Sequence, residues 1–523
     1  MAIAKYFSKD LLAINQLINS SQDSLEKILS STKVGIGFDK NGAETKEGAF
    51  ALDLITRLLA RLYPNLSIID LSKSNGKKVS ALHKLAKNIN SNIGLTDTLD
   101  DLDVLIVAGQ TNKKPKIKGK LLFIGSDNWI GNFSLNGTIS FGDSNNPFGP
   151  GVAACIGAAN LFRVVFHEFF QDKGLDKNLT FSPLTCSIDD SIHNPKLKSV
   201  DLKDVSIVGI GAIGNGAIWA LSKLENLTGS LNLIDSEKVS ISNLQRYVMF
   251  DENDIEQKKV EVALKKFSSP KLKVNLHFGN WSSYLKERGD YNVHVVGVAI
   301  DNKKDRIGIQ SSLPRKIINS YTEANLLGIS RHNEFGVTAC LACGYIPTQQ
   351  ERNYISEVAE NCNIPQYVNL VKDYLNLDIP VETPRIQNTG SILDVIAQAN
   401  TIQRGELDQF HGKKISQFYS EFVCGGISLS LSNSSRISNV DAPLAFQSAM
   451  AGILLAAEII IDAGGYRNSP IKQVTHIHPL NIFNKNNPFN HQLKRDDTGR
   501  CVCSDNVFIN QYKAKWQETQ TTI

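Results

Sequence analysis

Gly209-Ile210-Gly211-Ala212-Ile213-Gly214 follows an apolar run, Val205–Gly209, and opens an apolar-faced stretch, Ala212–Leu224. A strand that turns into a helix through closely spaced glycines lets backbone N–H groups and the positive helix end approach a polyphosphate. A dinucleotide-dependent oxidoreductase uses this device with an acidic residue about 20 positions on, which holds a ribose. Asp235 stands there, at the end of the next apolar run, Leu231–Ile234. An ATP-dependent enzyme could use the same aspartate on the same sugar, so the turn and Asp235 alone leave both readings open.

The eight cysteines are the second group capable of chemistry: Cys155, Cys186, Cys340, Cys343, Cys362, Cys424, Cys501 and Cys503. The N-terminus, Met1-Ala2-Ile3-Ala4-Lys5, lacks a charged start followed by an apolar block, so no export signal and a cytoplasmic location are expected. Reduced thiols are then expected, which favours metal ligation or catalysis over disulfides. His476 and His478 alternate on a strand-like run, where satisfied sheet histidines are the expected reading. A net charge of +4 is too small to imply a nucleic-acid partner, and the run Lys113-Lys114-Pro115-Lys116 with Lys118 and Lys120 reads as a solvated loop. The most apolar stretch, Ala442–Ala463, is interrupted by Gln447, Ser448 and Glu458, so a buried helix is expected there and no membrane span.

These residues need elements to hold them. With 523 residues the chain is too long for one core. Residues 1–30 read as a helical lead-in. Val34–Phe38 reads as a strand, Gly48–Leu62 as a helix, and Leu66–Leu71, Val104–Ala108 and Leu121–Ile124 as strands, before a small-residue helix from Val152 to about Phe170. Short apolar strands alternating with helices predict a parallel α/β sheet. The pattern restarts near residue 190 with Val205–Gly209, Ala212–Leu224, Leu231–Ile234 and Val293–Ile300, the last ending on Asp301. The expectation is one doubly wound architecture used twice. The first copy has only Gly35, Gly37 and Gly42, irregularly spaced, in place of the glycine turn. Residues 345–420 read as a polar, mostly helical insertion, and the strand Gln473–Ile477 with a polar tail follows the apolar helix. Expected domains are 1–190, 191–344, 345–440 and 441–523, the last completing the second.

The run from Leu233-Ile234-Asp235-Ser236-Glu237-Lys238-Val239 to Ser240-Ile241-Ser242-Asn243-Leu244-Gln245-Arg246 resembles the signature of the ThiF/MoeB/ubiquitin-activating superfamily. The match continues with Lys259, beside Lys258, and with Asp301-Asn302-Lys303-Lys304-Asp305-Arg306, over about 100 residues. The resemblance implies two Rossmann-like adenylation-type domains, the N-terminal one degenerate, and a crossover insertion carrying a cysteine. It implies ATP on Gly209, Gly211, Ala212 and Gly214, with Asp235 on the ribose and Glu237 beside it. Asn243, Arg246 and Lys259 would then contact the phosphates and Asp301 would engage Mg²⁺. Adenylation drives a carboxylate onto the α-phosphate, so like charges must be brought together, and cations with a metal ion are what permit it. Glu237 stands where the family usually has Asp, Tyr247 where Gln is common, and Glu256 where Gly is usual. The family also brings an arginine from a partner subunit or an inactive sister domain, for which Arg57, Arg61 and Arg163 are candidates.

The same resemblance implies a structural zinc on Cys340, Cys343, Cys501 and Cys503, although Cys501-Val-Cys503 departs from the usual Cys-x-x-Cys. Family members that pass their cargo onward hold it as a thioester on a cysteine between the zinc pair and the closing helix. Cys424 and Cys362 are the candidates; Cys424 precedes Gly425-Gly426, and a buried strand cysteine among Val423, Ile427 and Leu429 is its alternative. The implied partners are a ubiquitin-like or sulfur-carrier protein and a separate conjugating enzyme, since no segment is expected to resemble one. Neither nucleic acid nor membrane is expected, and a homodimer is one assembly the resemblance allows. Free-standing bacterial ubiquitin-like activating enzymes, some serving antiphage defence, are the kind it suggests. Adenylation of a sulfur carrier or peptide without a thioester step is the alternative, and an NAD-dependent oxidoreductase a remoter one.

Overall fold

The computed structural model describes residues 14, 22–170, 174–188, 193–323, 325–346, 354–385, 390–422, 443–496 and 499–516. Strands β1 (Val34–Phe38), β2 (Asn65–Asp70), β3 (Gly94–Thr96), β4 (Val104–Ala108), β5 (Lys120–Asp127), β6 (Ile130–Ser134) and β7 (Asn178–Phe181) build one sheet. A second sheet holds β8 (Val200–Val208), β9 (Leu227–Asp235), β10 (Leu272–Phe278), β11 (Val295–Val298), β12 (Lys316–Thr322), β13 (Leu327–His332), β14 (Val474–Ile477) and β15 (Phe489–His491). All five residues of β1 and of β4 are buried, as a parallel strand covered on both faces requires.

The strand orders are β3-β2-β1-β4-β5-β6-β7 and β10-β9-β8-β11-β12-β13-β14-β15. In each sheet the first five strands are parallel and the rest antiparallel. The expected repetition of one doubly wound architecture is therefore present, with β15 added to the second copy. In the second sheet Val208 pairs with Ile234 on one side and Val298 on the other. Three strand ends thus open on one edge, at the place where strand order reverses and open α/β sheets bind their ligands.

Two helices, Phe148–Val165 and Ala445–Gly464, are long and apolar enough to span a membrane by length and composition. Each is 89% buried within the protein, which accounts for that composition. Leu444 is extended, so the second begins three residues later than expected. It lies against the helix Ala212–Ser222, where a Cβ on Gly216 would come within 2.7 Å of the Ala449 carbonyl oxygen. Its Glu458 is enclosed by two arginines. Arg331 donates to Oε1 at 2.5 Å, and Arg467 donates to Oε2 at 2.9 Å and Oε1 at 2.7 Å.

The chain divides into two compact units. One contains both sheets, the linking helices and the C-terminal segment. The other comprises residues 8–17 and 347–442. Its described helices include Tyr354–Asn361, Val368–Leu377, Ile392–Ala399 and Ile415–Phe422, closed around a core of its own with Val358, Cys362, Tyr374, Ile396, Phe410 and Phe418.

Burial alone would raise the Glu458 pKa, but the charges of Arg331 and Arg467 more than offset it and lower it from 4.5 to about 2. A depressed carboxylate contributes stability that is complete above its unfolded pKa and is lost as pH falls through its folded one. Acid unfolding followed by circular dichroism should therefore show wild type losing stability between pH 4.5 and about 2, with a shallower loss in Glu458→Gln.

Candidate active site

Gly209 follows β8 with φ +94°, in the left-handed region, and a Cβ there would stand 2.5 Å from the Ala299 carbonyl oxygen. Only glycine lets the turn lie this close to the chain leaving β11. A Cβ on Gly214 would meet the Gly209 carbonyl oxygen, and Gly211 caps the helix that begins at Ala212. Asp235, at the end of β9, accepts the Ile210 N–H at 2.7 Å and the Glu237 N–H at 2.8 Å. It braces the glycine turn as well as facing the edge of the sheet. Burial pushes its carboxyl above the usual range, while Lys259 pulls the other way.

Lys259 opens the helix Lys259–Leu264 and is only 1% exposed. Its Nζ is paired with the Glu237 carboxylate, donates to the Tyr247 hydroxyl at 3.1 Å, and lies 5.1 Å from the Tyr247 ring centre. Burial opposes its charge, but Tyr247, Asp235 and Glu237 more than offset that and raise its pKa. Lys258 faces outward, paired with Glu261 at 3.0 Å. Arg246 is half-buried; it donates to Gln245 Oε1 at 3.1 Å and stands 6.0 Å from the Tyr247 ring centre. Asn243 Oδ1 accepts the Ser240 N–H at 3.0 Å and closes a capping box on the turn 241–243. Asp235, Glu237, Tyr247 and Lys259 are thus brought together beside the glycine turn, with Arg246 also near the tyrosine ring.

Asp301 is exposed, just past β11. The next residue, Asn302, caps the helix Lys303–Ser311 by accepting the Asp305 N–H at 3.1 Å. Burial raises the Asp305 pKa, and the nearby Asp301 charge adds to it. The two carboxylates thus repel each other, an interaction that a divalent cation would relieve. Arg306 is buried, donates to the Ile300 carbonyl and lies 4.6 Å from the Tyr345 ring centre. It braces the strand end that carries Asp301.

The candidate arginines of the first half have other partners. Arg61 is 1% exposed and donates to the carbonyls of Leu244 (3.0 Å), Tyr247 (2.7 Å) and Phe250 (2.7 Å), with its other Nη on Arg57 (2.8 Å). Arg57 bonds Asp53 at 2.9 Å and the Val248 carbonyl at 3.0 Å. Arg163 is buried against Asp176 at 3.0 Å. The expectation of an arginine reaching the nucleotide is corrected for Arg61 and Arg163, whose guanidiniums are committed inside the protein. Arg57 and Arg61 instead hold the segment that presents Arg246 and Tyr247. In the first half, Asp39 follows β1 as Gly209 follows β8. It accepts the N–H groups of Lys40 (2.7 Å) and Asn112 (3.2 Å), while Asn41 Oδ1 accepts those of Gln110 (3.0 Å) and Phe141 (2.7 Å). Side chains of the first half's own turn occupy these backbone donors, and a carboxylate there repels phosphate.

Cys340, Cys343, Cys501 and Cys503 converge with sulfur separations of 3.4–3.9 Å, all within 4.8 Å of one another. A tetrahedral zinc with Zn–S bonds near ~2.3 Å requires sulfurs about 3.8 Å apart, so the four thiols fit that ion. His476 bonds the Tyr321 hydroxyl at 2.6 Å and His478 the Asn325 side chain at 2.9 Å, as satisfied histidines. Cys362 is fully buried in the helical unit's core, which removes it as a nucleophile in this fold. Cys424 lies outside the described residues. Sequence reasoning had singled out Tyr247 only as a departure, and had not found Gln245, whose buried amide also donates to the Pro443 carbonyl at 3.3 Å.

The family described as "ThiF family" matches residues 188–501, and one described as "Prokaryotic E2 family C" matches residues 37–167. The second match runs against the expectation that no segment resembles a conjugating enzyme. Cys155 is the one cysteine among residues 37–167; it is 1% exposed, and burial raises its thiol pKa. The protein y4jF of Sinorhizobium fredii (strain NBRC 101917 / NGR234) is 35% identical over 519 residues, covering 99% of this chain and 98% of its own. Ubiquitin-like modifier-activating enzyme 5 of Drosophila pseudoobscura pseudoobscura is 28% identical over 159 residues, 27% of this chain and 39% of that one. The crystal structure of E. coli MccB with MccA-N7isoASN aligns at 17% identity and TM-score 0.36, over 59% of this chain and 68% of that one. At that score the likeness supports no functional inference.

Arg61→Ala would remove hydrogen bonds to four carbonyls and is expected to cost roughly 3 kcal/mol, read as a lower urea midpoint with unchanged slope. Metal analysis of purified protein should find one zinc per chain, with Cys503→Ser losing it and melting at lower temperature.

Proposed function

Because this chain belongs to the ThiF family, an E1-like family of adenylating enzymes, we propose that its second half uses ATP and Mg²⁺ to adenylate the C-terminal glycine of a ubiquitin-like protein. The observation that carries this reading is the buried Lys259 ammonium, held by Glu237 and Tyr247 beside a glycine turn whose N–H groups can meet a polyphosphate. A dinucleotide enzyme needs the turn and Asp235 but not a buried cation with Arg246 close by.

In this reading the nucleotide phosphates lie on Gly209, Gly211, Ala212 and Gly214, with Asp235 toward the ribose and Glu237 next to it. Asn243, Arg246 and Lys259 contact the phosphates. A carboxylate oxygen of the cargo attacks the α-phosphorus, the bond from that phosphorus to the bridging oxygen breaks, and pyrophosphate leaves with the electron pair. Lys259 and Arg246 offset the negative charge that gathers as the anions meet. Asp301, with Asp305 near it, would hold Mg²⁺, which when bound adds positive charge at the phosphates. The thiolate of Cys424 then attacks the acyl carbon, AMP leaves, and a thioester remains. The cargo passes to a separate conjugating enzyme, since the buried Cys155 offers no thiol within residues 37–167. The first half serves as the degenerate partner, bracing the active half through Arg57 and Arg61. Zinc on Cys340, Cys343, Cys501 and Cys503 ties the C-terminal segment to the second sheet. The enzyme works in the cytoplasm, within a bacterial conjugation system of the kind that serves antiphage defence.

ATP–pyrophosphate exchange with small glycine-tailed proteins, followed by non-reducing gels of wild type and Cys424→Ala, tests this. Cargo-dependent exchange with a reducible adduct absent from the mutant is expected. Exchange without an adduct would leave a sulfur-carrier or peptide adenylating enzyme. Nicotinamide dinucleotide binding without ATP binding would overturn the reading.

A further inference from the structure

Tyr247 stands where a glutamine would follow the signature arginine, and the structure gives that departure a place. Its backbone is fixed from the first half, since Arg61 donates to its carbonyl at 2.7 Å. Its ring is buried and meets Phe250 edge-on with centres 5.9 Å apart. Lys259 and Arg246, the two cations beside the glycine turn, lie 5.1 and 6.0 Å from that ring's centre. The aromatic face therefore supports both charges. The hydroxyl accepts from Lys259 at 3.1 Å, and the point a Cβ would take on Gly211 lies 3.5 Å from the same oxygen. The phenol oxygen thus sits between the buried ammonium and the N-terminal cap of the helix Ala212–Ser222.

A tyrosine hydroxyl is both an acceptor and a donor. Lys259 has only protons to give, so it uses the acceptor side alone. No other hydrogen bond among the described residues uses this hydroxyl, and its proton is left for the space over the turn. Burial raises the Tyr247 pKa, which keeps that proton in place at neutral pH.

We propose that Tyr247 is a further nucleotide-binding residue, its hydroxyl donating to the polyphosphate on the Gly209–Gly211 turn while it holds Lys259 in position. This rests on the ATP reading above. It adds a neutral donor to the two cations, one that a glutamine at the same position would have to supply with an amide.

The test is Tyr247→Phe, which keeps the ring and removes the hydroxyl. Binding of ATP with Mg²⁺, and of adenosine, is measured by calorimetry on the full-length protein. ATP affinity is expected to fall about tenfold, the worth of one charge-assisted hydrogen bond, with adenosine affinity unchanged. Unchanged ATP affinity would overturn the proposal, as would an equal loss for ATP and adenosine, which marks a merely structural ring. Wild-type protein that binds no ATP would overturn the underlying reading and this one with it. Wild type that binds ATP normally alongside an unaffected Tyr247→Phe would sink the tyrosine's role alone.

Discussion

A lysine ammonium at 1% exposure is tenable only where anions and dipoles replace the water it has lost, and the site is arranged around meeting that need at Lys259. Glu237 and Tyr247 touch it, and Asp235 adds its field. Two of these have a second duty. Asp235 fastens the glycine turn through the Ile210 N–H, and Tyr247 spans the gap between the lysine and Gly211. Glu237 is 65% exposed and so is the partner most easily exchanged for an incoming anion.

The duplicated topology supplies rigidity for this balance. One copy keeps the open turn; the other fills it with Asp39 and Asn41 and turns its helix Lys46–Leu62 to support. Arg57 and Arg61 on that helix reach four carbonyls of the segment 244–250. Asp53, one turn earlier, accepts from Trp219 Nε1 at 2.7 Å and pairs with Arg57 and Lys223. Those two positive charges and the tryptophan bond outweigh its burial and hold its carboxyl well below the usual range. The contacts between the halves are thus buried, charged and directional, and they end on the backbone that carries Arg246 and Tyr247.

The helical unit stands on different physics. Its core of Val358, Ile396, Phe410 and Phe418 is apolar and its own. Cys362 belongs to that core, which is why a thiol in the right interval of sequence is not available for chemistry. Position along the chain and accessibility are separate properties, and only packing decides the second.

The sequence by itself determined the parallel strands, because a strand covered on both faces must be apolar throughout, as Val104–Ala108 is. It also determined the glycine turn, since crowding against Ala299 admits no side chain at Gly209, and the pairing of cysteines across some 160 residues, since thiol spacing survives any path of the chain between them. Edge strands such as β10 and β15 escaped it: β10 carries apolar residues at Leu272, Val274, Leu276 and Phe278, but they are mostly only part-buried, and β15, three residues long, is too short to show a period. Tertiary structure alone decided which of two adjacent lysines is buried, and that Arg61 serves carbonyls and not a nucleotide. It also decided that Tyr247 lies between a cation and a helix cap. Those outcomes depend on which partners arrive from 12 to 189 residues away, and a side chain's charge state and orientation follow from its neighbours in space.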